Sequence, residues 1–259
     1  MREAVLDKLA KLGLDQAAAT LDSRAEEAAR KEWAYTDFLE NLLEDEVQAR
    51  RARFRETRTR LAGFPFIKQL DDFRFDQQPG VDKKQVLELA TLSFLARKDN
   101  VILLGPPGVG KSHLSVALGL KAIEAQSTVY FITLDRLVAD LMRSHLARNL
   151  ERRMAVYIRP ALLIIDEVGY LPLDRQAANL LFQVISRRYE RASTIVTSNK
   201  SYGEWGDFLG DSALAAATLD RLLHHSVTLN IRGDSYRLRE KRKAGILAPP
   251  ATLKGVAGA

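Results

Sequence analysis

Residues 105–112 read Gly-Pro-Pro-Gly-Val-Gly-Lys-Ser and directly follow the apolar run Val101–Leu104. This stretch fits the pattern G-x-x-x-x-G-K-[ST] at every fixed position. It lies between a predicted strand and a predicted helix over Lys111–Ala125, which is the context that the pattern requires. A plain turn is a poor alternative, because the four fixed identities and this context would have to coincide. The sequence therefore predicts a phosphate-binding loop on an α/β core.

The residue types in this loop suit a nucleoside triphosphate. Glycines let backbone N–H groups converge on phosphate oxygens at a helix N-terminus, where the helix dipole favours negative charge. Lys111 is expected to reach the β- and γ-phosphates and Ser112 to ligate Mg²⁺. The predicted nucleotide-binding residues are Gly105, Pro106, Pro107, Gly108, Val109, Gly110, Lys111, Ser112 and the adjoining His113.

Two acidic residues, Asp166 and Glu167, directly follow a later apolar run, Leu162–Ile165. This is the pattern of a Walker B strand. Asp166 is expected to hold Mg²⁺ or its water shell, and Glu167 to polarise the attacking water, which predicts an ATP hydrolase. A solvated acidic pair at a strand end is the alternative, and the upstream loop counts against it.

Short apolar, β-rich runs alternate with helical patterns after residue 100. The predicted strands are Val101–Leu104, Thr128–Thr133, Ala161–Ile165, Thr194–Ser198 and Val227–Ile231. The predicted helices between them are Lys111–Ala125, Arg136–Tyr157, Asp174–Glu190 and Asp211–His224. This alternation predicts an α/β fold with a parallel five-stranded sheet covered by helices on both faces.

The N-terminal residues 1–62 are predicted to form a small α-helical domain that binds DNA or a partner. Apolar residues recur at helical spacing over Ala4–Leu21 and more strongly over Tyr35–Val47. The charge reverses within this domain: residues 1–47 hold six Lys and Arg against twelve Asp and Glu, whereas residues 48–64 hold six Arg against one Glu. Such a reversal indicates an element with a separate role.

Domain boundaries follow from the breaks in these patterns. Gly63, Phe64 and Pro65 end the helical pattern, so a linker is predicted over residues 63–80 before a helix capped by Asp82. The ATPase domain is predicted over residues 81–247. Residues 248–259, rich in Ala, Pro and Gly, are predicted to be a loose tail.

Composition narrows the class of protein. With 259 residues and 46% hydrophobic residues, the chain can fill a full core. The absence of Cys excludes disulfides, thiolate nucleophiles and Cys-based zinc sites, and it is compatible with the cytoplasm. No secretory signal or membrane-length apolar stretch is evident, so we expect a cytoplasmic protein with no membrane contact. A formal charge of +6 favours an anionic partner, above all nucleic acid, although it also suits an ordinary soluble protein.

The stretch 194–199, Thr-Ile-Val-Thr-Ser-Asn, ends a predicted strand on a polar amide. Asn199 is placed to hydrogen-bond the γ-phosphate and the attacking water. Spacing alone favours this role and a simple turn cap equally.

Four stretches together resemble a known family: GPPGVGKS, LLIIDEVGYLPLD, TIVTSNK and TLDRLLHHSVTLNIRGDSYR. They are similar to those of IstB-type ATP-binding proteins of insertion sequences, which are AAA+ ATPases related to the helicase loader DnaC. The resemblance covers nearly the whole chain and is most specific from Asn100 to Arg239. It implies an AAA+ core that assembles as an ATP-dependent homo-oligomer on DNA. It also implies a partner transposase of the same insertion sequence, assisted in target capture and strand transfer.

The resemblance also implies roles that spacing does not give. Asn199 matches the sensor-1 position, and Arg221 matches an arginine finger that acts on a neighbouring subunit. Without the resemblance, Arg221 would be a surface arginine on a helix. Arg237 lies where relatives have a sensor-2-like arginine and is therefore a further predicted nucleotide-binding residue, although the resemblance implies a family without the full helical lid of other AAA+ proteins. Adenine contacts are expected before the first strand, where Phe73 and Phe75 are candidates that core packing explains equally well.

Three basic clusters could contact DNA phosphates, although each by itself is more often a solvated face. The predicted DNA-binding residues are Arg50, Arg51, Arg53, Arg136, Arg143, Arg148, Arg152 and Arg153. The clusters also include Arg55, Arg58, Arg60 and Arg159, and a last group holds Arg237, Arg239, Lys241, Arg242 and Lys243. The 136–159 cluster resembles the helical insertion that lines the DNA side of initiator-type AAA+ assemblies. Tyr170 and Leu171 could face the same channel or form a plain turn. No aromatic stacking platform is evident, so duplex is favoured over single-stranded DNA.

Other functions remain open from sequence. The main alternative is a DnaC-like replicative helicase loader, which would use the same ATPase core with single-stranded DNA. A DNA-bending scaffold that uses ATP only for assembly would retain its DNA effects in Glu167→Gln. A small-molecule kinase would need an arginine-bearing lid segment, which the sequence lacks.

Overall fold

The computed structural model describes residues 2–233, 235 and 236. The chain divides into two compact units, Met1–Arg60 and Leu61–Ala259. The predicted tail over 248–259 and the residues Arg237, Arg239, Lys241, Arg242 and Lys243 lie outside the described residues.

The N-terminal unit is α-helical. Its helices are α1 (Arg2–Lys11), α2 (Asp15–Lys31) and α3 (Tyr35–Leu61). The helical pattern over Ala4–Leu21 is broken at Gly13, whose φ of +65° is costly for other residues. The buried carboxylate of Glu46 on α3 accepts hydrogen bonds from the Gln16 and Ala17 N–H groups, at 2.7 and 3.2 Å. Because α2 has no side-chain cap of its own, Glu46 satisfies its first free N–H groups.

The second unit is built around a parallel sheet, as the sequence predicts. Its strands are β1 (Asn100–Leu104), β2 (Val129–Thr133), β3 (Leu162–Val168), β4 (Ser193–Ser198) and β5 (Ser226–Asn230). Within the described residues, these five strands have the order β2-β3-β4-β1-β5, and all their pairings are parallel. The strands at the centre are apolar and buried because helices cover both faces.

The helices that cover the sheet follow the predicted alternation. They are α4 (Lys83–Ala90), α5 (Ser93–Arg97), α6 (Lys111–Glu124), α7 (Leu134–Leu146), α8 (Leu150–Ile158), α9 (Arg175–Arg188), α10 (Trp205–Leu209) and α11 (Ser212–Leu223). Side chains of β1 alternate between two cores: Val101 and Leu103 join one, and Ile102 and Leu104 the other.

The structure differs from the sequence prediction in two stretches. The helical pattern over Arg136–Tyr157 is split into α7 and α8 near Arg148, which has a φ of 54°. The stretch 63–80, predicted as a linker, holds the 3-10 helices Leu70–Asp72 and Phe75–Gln77. Its apolar side chains pack against the core, so it forms one wall of the site below. No helix within the described range is long and apolar enough to cross a bilayer.

Candidate functional site

The glycine-rich loop joins the end of β1 to the first turn of α6. Gly110, the residue before α6, has a φ of 101° and gives the helix no side-chain cap. A Cβ at Gly110 would lie 2.6 Å from a Phe73 ring carbon. A Cβ at Gly105 would lie 2.3 Å from the Ile231 carbonyl oxygen. Only glycine therefore fits these two positions, and the N-terminal N–H groups of α6 are left for an anion.

A cavity of about 330 Å³ opens over this loop. Its volume is within the usual range for ligand pockets, about 300–1,000 Å³. The lining residues are Phe66, Lys68, Asp72, Phe73, Arg74, Gln78, Pro107, Gly108, Val109, Gly110, Lys111, Ser112, His113, Glu167, Tyr170, Thr197 and Tyr236. The Lys111 ammonium is largely buried and donates to the carbonyls of Gly105 and Pro106, at 2.6 and 2.8 Å.

Ser112 and Asp166 meet beside the loop, although 54 residues separate them in the chain. The Ser112 hydroxyl donates to the two Asp166 carboxylate oxygens, at 3.0 and 2.8 Å. Asp166 is only 5% exposed because it ends the buried part of β3. A hydroxyl and a carboxylate oxygen are donors that suit Mg²⁺, so these two residues fit the predicted metal site.

A bulge in β3 separates Glu167 from its neighbours. The β3–β4 register shifts between Ile165 and Val168, and Glu167 has a φ of 62°. Bulges near functional sites redirect side chains, and a non-glycine residue at positive φ stores strain. Asp166 is buried, whereas Glu167 is exposed and lines the cavity. The two carboxylates therefore have different environments despite being adjacent in sequence.

Thr197 on β4 is a residue of this site that the sequence analysis did not identify. Its hydroxyl donates to Asp166 Oδ1 and accepts from the Glu167 N–H at 3.1 Å. It also lines the cavity. One hydroxyl thus orients the carboxylate and satisfies the N–H group that the bulge removes from the strand ladder. Its position near the end of an apolar strand was the available signal.

Asn199 and Arg221 are not among the residues that line the cavity. The Asn199 side-chain oxygen is buried and has no hydrogen-bond partner among the described residues. Arg221 on α11 is held by α9: it donates to the Ser186 hydroxyl, and its guanidinium lies 4.5 Å from the Phe182 ring centroid. Arg237 lies outside the described residues.

The aromatic candidates divide between the site and the core. Phe73 is buried and lines the cavity, and it packs edge-on against Phe75 and His113. Phe75 is not part of the cavity lining. His113 Nε2 lies 2.9 Å from the Gln69 carbonyl oxygen, which fixes the ring beside the loop. Tyr170 lines the cavity and Leu171 is 66% exposed.

The predicted DNA-binding arginines differ in their local partners. Arg50 and Arg53 form ion pairs with Glu46, at 2.9 and 3.6 Å. Arg153 pairs with Asp140, and Arg143 lies 3.8 Å from the same carboxylate. Other arginines are exposed and have no ion pair in the described part of the chain: Arg51, Arg136, Arg148 and Arg152 of the predicted DNA-binding residues, and Arg55, Arg60 and Arg159 of the wider clusters.

Asp140 illustrates how such pairing changes titration. Burial by itself raises the pKa of this carboxyl, but hydrogen bonds from Arg153 and Tyr157 outweigh it and lower the pKa below its usual value. Asp140 stays ionised and fixes the α7–α8 turn. Arg153 is therefore partly a structural residue.

Comparison with known proteins gives consistent matches. The family model described as IstB-like ATP binding protein matches residues 7–244. The insertion sequence IS21 putative ATP-binding protein of Pseudomonas aeruginosa is 50% identical over 244 residues, 94% of this chain and 92% of the relative. The IS5376 putative ATP-binding protein of Geobacillus stearothermophilus is 48% identical over 242 residues, 93% and 96% of the two chains. The structure of the DnaC helicase loader matches with a TM-score of 0.50 and 21% identity, over 58% of this chain and 90% of that one. This last likeness is one of fold.

Proposed function

This chain belongs to the family of IstB-like ATP-binding proteins, and from that premise we propose that it is a DNA-dependent AAA+ ATPase of an insertion sequence. It assembles on duplex DNA as an ATP-bound homo-oligomer. In that state it assists the transposase of the same element in target capture and strand transfer. Hydrolysis then releases the assembly.

The contact between Ser112 and Asp166 carries the ATPase part of the proposal. This contact joins the first turn of α6 to β3 beside the loop. It brings a hydroxyl oxygen and a carboxylate oxygen together, so both can bind the same metal ion. Mg²⁺, when bound there with ATP, would neutralise charge on the β- and γ-phosphates. Lys111 would exchange its carbonyl partners for phosphate oxygens.

Glu167 suits the role of general base. It lines the same cavity, next to the buried Asp166 in sequence, and its side chain is exposed to solvent. A carboxylate that lines the cavity and reaches solvent can accept a proton from a water molecule beside the γ-phosphate. Asp166 is buried and accepts hydrogen bonds from two hydroxyls, which suits a metal ligand. Arg221 supplies positive charge to a neighbouring subunit's γ-phosphate, which links turnover to assembly.

The test compares Glu167→Gln with wild type and with Glu124→Gln, a matched change on the exposed face of α6. We expect Glu167→Gln to bind ATP but lose about 100-fold or more in turnover, because its amide cannot take a proton. Glu124→Gln should behave as wild type. Normal turnover by Glu167→Gln would contradict the assignment.

Sedimentation velocity with a non-hydrolysable ATP analogue tests the DNA part. Large complexes on duplex, and not on single strands, are expected at fixed moderate salt. A preference for single strands would instead favour a helicase loader. Complexes that Glu167→Gln forms with ATP on duplex should persist, whereas those of wild type should dissociate.

A further inference from the structure

Three potential metal ligands meet where α9 and α11 end. Glu190 lies two residues after α9, and His224 and His225 directly follow α11. His224 Nδ1 and His225 Nε2 each lie 3.9 Å from Glu190 Oε1. One donor atom from each residue lies within 4.8 Å of the other two. None of the three lines the nucleotide cavity.

These separations are close to those of a single zinc-type ion. Zn–N and Zn–O bonds are about 2.0–2.2 Å, so two ligand atoms of one tetrahedral ion lie about 3.4 Å apart. Both histidine–glutamate distances, 3.9 Å, exceed this separation by about 0.5 Å. These gaps and the one between the two imidazoles close by side-chain rotation, since all three side chains are more than half exposed.

The surroundings also favour a cation at this point. The C-termini of α9 and α11 lie within two residues of these side chains along the chain, and helix C-termini carry partial negative charge. The Tyr189 hydroxyl lies 2.7 Å from His224 Nδ1. When this hydroxyl donates, it occupies the lone pair of Nδ1, the nitrogen nearer Glu190, so a metal binds at Nδ1 only once the Tyr189 hydroxyl has turned away.

We propose that Glu190, His224 and His225 form a binding site for a divalent transition metal of the Zn²⁺ class. Two imidazoles and one carboxylate leave a coordination position for water. Imidazole nitrogen selects zinc over magnesium, so this site is chemically distinct from the one at Ser112 and Asp166. The ion would fasten α9 to α11, the two helices whose contact holds Arg221 one turn before His224.

For the test, the full-length chain without a histidine tag is first freed of metal with a chelator. It is then titrated with Zn²⁺ and the binding is followed by calorimetry. We expect one Zn²⁺ per chain, and about tenfold or greater weakening in His224→Ala and in His225→Ala. Glu190→Gln should also weaken binding. His145→Ala removes an exposed histidine on α7 and is the matched control, which should bind as wild type.

A second measurement guards against unfolded variants. Zn²⁺ should raise the thermal unfolding midpoint of wild type and His145→Ala, but not of the His224→Ala/His225→Ala double variant. Each variant should retain the wild-type circular dichroism. Equal Zn²⁺ affinity in wild type and the double variant, or no binding at all, would overturn the proposal. Neither readout involves ATP hydrolysis, so the result is independent of the proposed function.

Discussion

At the residue scale, Thr197 connects the two acidic side chains of the site. Its hydroxyl donates to the Asp166 carboxylate and accepts from the Glu167 N–H. Valine has nearly the same shape but neither hydrogen bond, so Thr197→Val would remove one of the two hydroxyls that hold the buried carboxylate and unpair a backbone donor. Since both groups belong to the proposed catalytic centre, Thr197 is a positioning residue rather than a catalytic one.

We expect Thr197→Val to lower ATP turnover by about 10- to 100-fold, a loss of the size seen when outer-shell partners of metal ligands are removed. The Mg²⁺ concentration needed for half-maximal turnover should rise as well. Thr197→Ser keeps the hydroxyl and should restore much of both. If Val and Ser variants were equally impaired with an unchanged Mg²⁺ requirement, Thr197 would be important for packing only.

At the scale of the elements, Arg188 at the end of α9 holds several segments together. It is 1% exposed, and burial lowers the pKa of its guanidinium. One terminal nitrogen donates to the carbonyls of Tyr157, Ile158 and Pro160, at 2.9 to 3.0 Å. The rest of the guanidinium bonds to Ser193 and Thr194 at the start of β4. The end of α8 and the start of β4 thus share one side chain.

Arg188→Met should lower the free energy of unfolding by about 3 kcal/mol, because it leaves several buried carbonyl oxygens without a donor. Arg187 provides the matched control. It is adjacent in sequence but makes an exposed ion pair with Glu151, so Arg187→Met should cost at most about 1 kcal/mol. Urea unfolding of the full-length chain measures both. Equal losses would mean that the carbonyls find other partners.

Helix α3 carries two kinds of arginine. Some are held in ion pairs within the helix, and others are exposed and can bind DNA phosphates. Arg50 and Arg53 are engaged by Glu46, whereas Arg51 and Arg55 are exposed, one turn apart and without an ion pair in the described chain. A guanidinium that is not already held in an ion pair can contact a DNA phosphate at a lower cost. We therefore expect Arg51→Ala/Arg55→Ala to weaken duplex binding and to reduce the salt slope by about two.

The matched double variant is Arg50→Ala/Arg53→Ala. It removes the same number of charges but acts on the α2–α3 contact through Glu46. Its main effect should be a lower unfolding midpoint, with a salt slope close to wild type. Fluorescence anisotropy over a range of salt concentrations distinguishes the two pairs. A slope unchanged by Arg51→Ala/Arg55→Ala would remove α3 from the DNA surface.

Across the whole chain, the sequence predicted the features that are set by residues close to one another in the sequence. The alternation of strands and helices predicted the parallel sheet, and local patterns led to the prediction of Lys111, Ser112 and Asp166 as site residues. The roles of Thr197, Glu46 and Arg188 depend on partners that are about 30 residues away. Such pairings depend on the register of packed elements, and no single stretch encodes them. The break between α1 and α2 at Gly13 was missed although its signal is local, because the apolar spacing over Ala4–Leu21 continues across the glycine.

The proposed role of Arg221 depends on contact between two chains. Within one subunit it contacts α9 and does not line the cavity, so a finger role requires a neighbouring subunit. Subunits in a ring or filament contact one another head to tail, so each site would combine one subunit's Glu167 with another's Arg221. Arg221→Ala should therefore bind ATP but hydrolyse it poorly, as Glu167→Gln should for a different reason.

Mixing the two inactive variants tests this arrangement. An Arg221→Ala subunit keeps Glu167, and a Glu167→Gln neighbour can supply the missing arginine. In a random equal mixture about a quarter of the interfaces combine both intact groups, so turnover should recover to about a quarter of wild type. Lys111→Ala/Arg221→Ala in place of Arg221→Ala is the control, because it removes the rescued site itself. An equal mixture that stays inactive while forming mixed oligomers would show that Arg221 does not act across the interface.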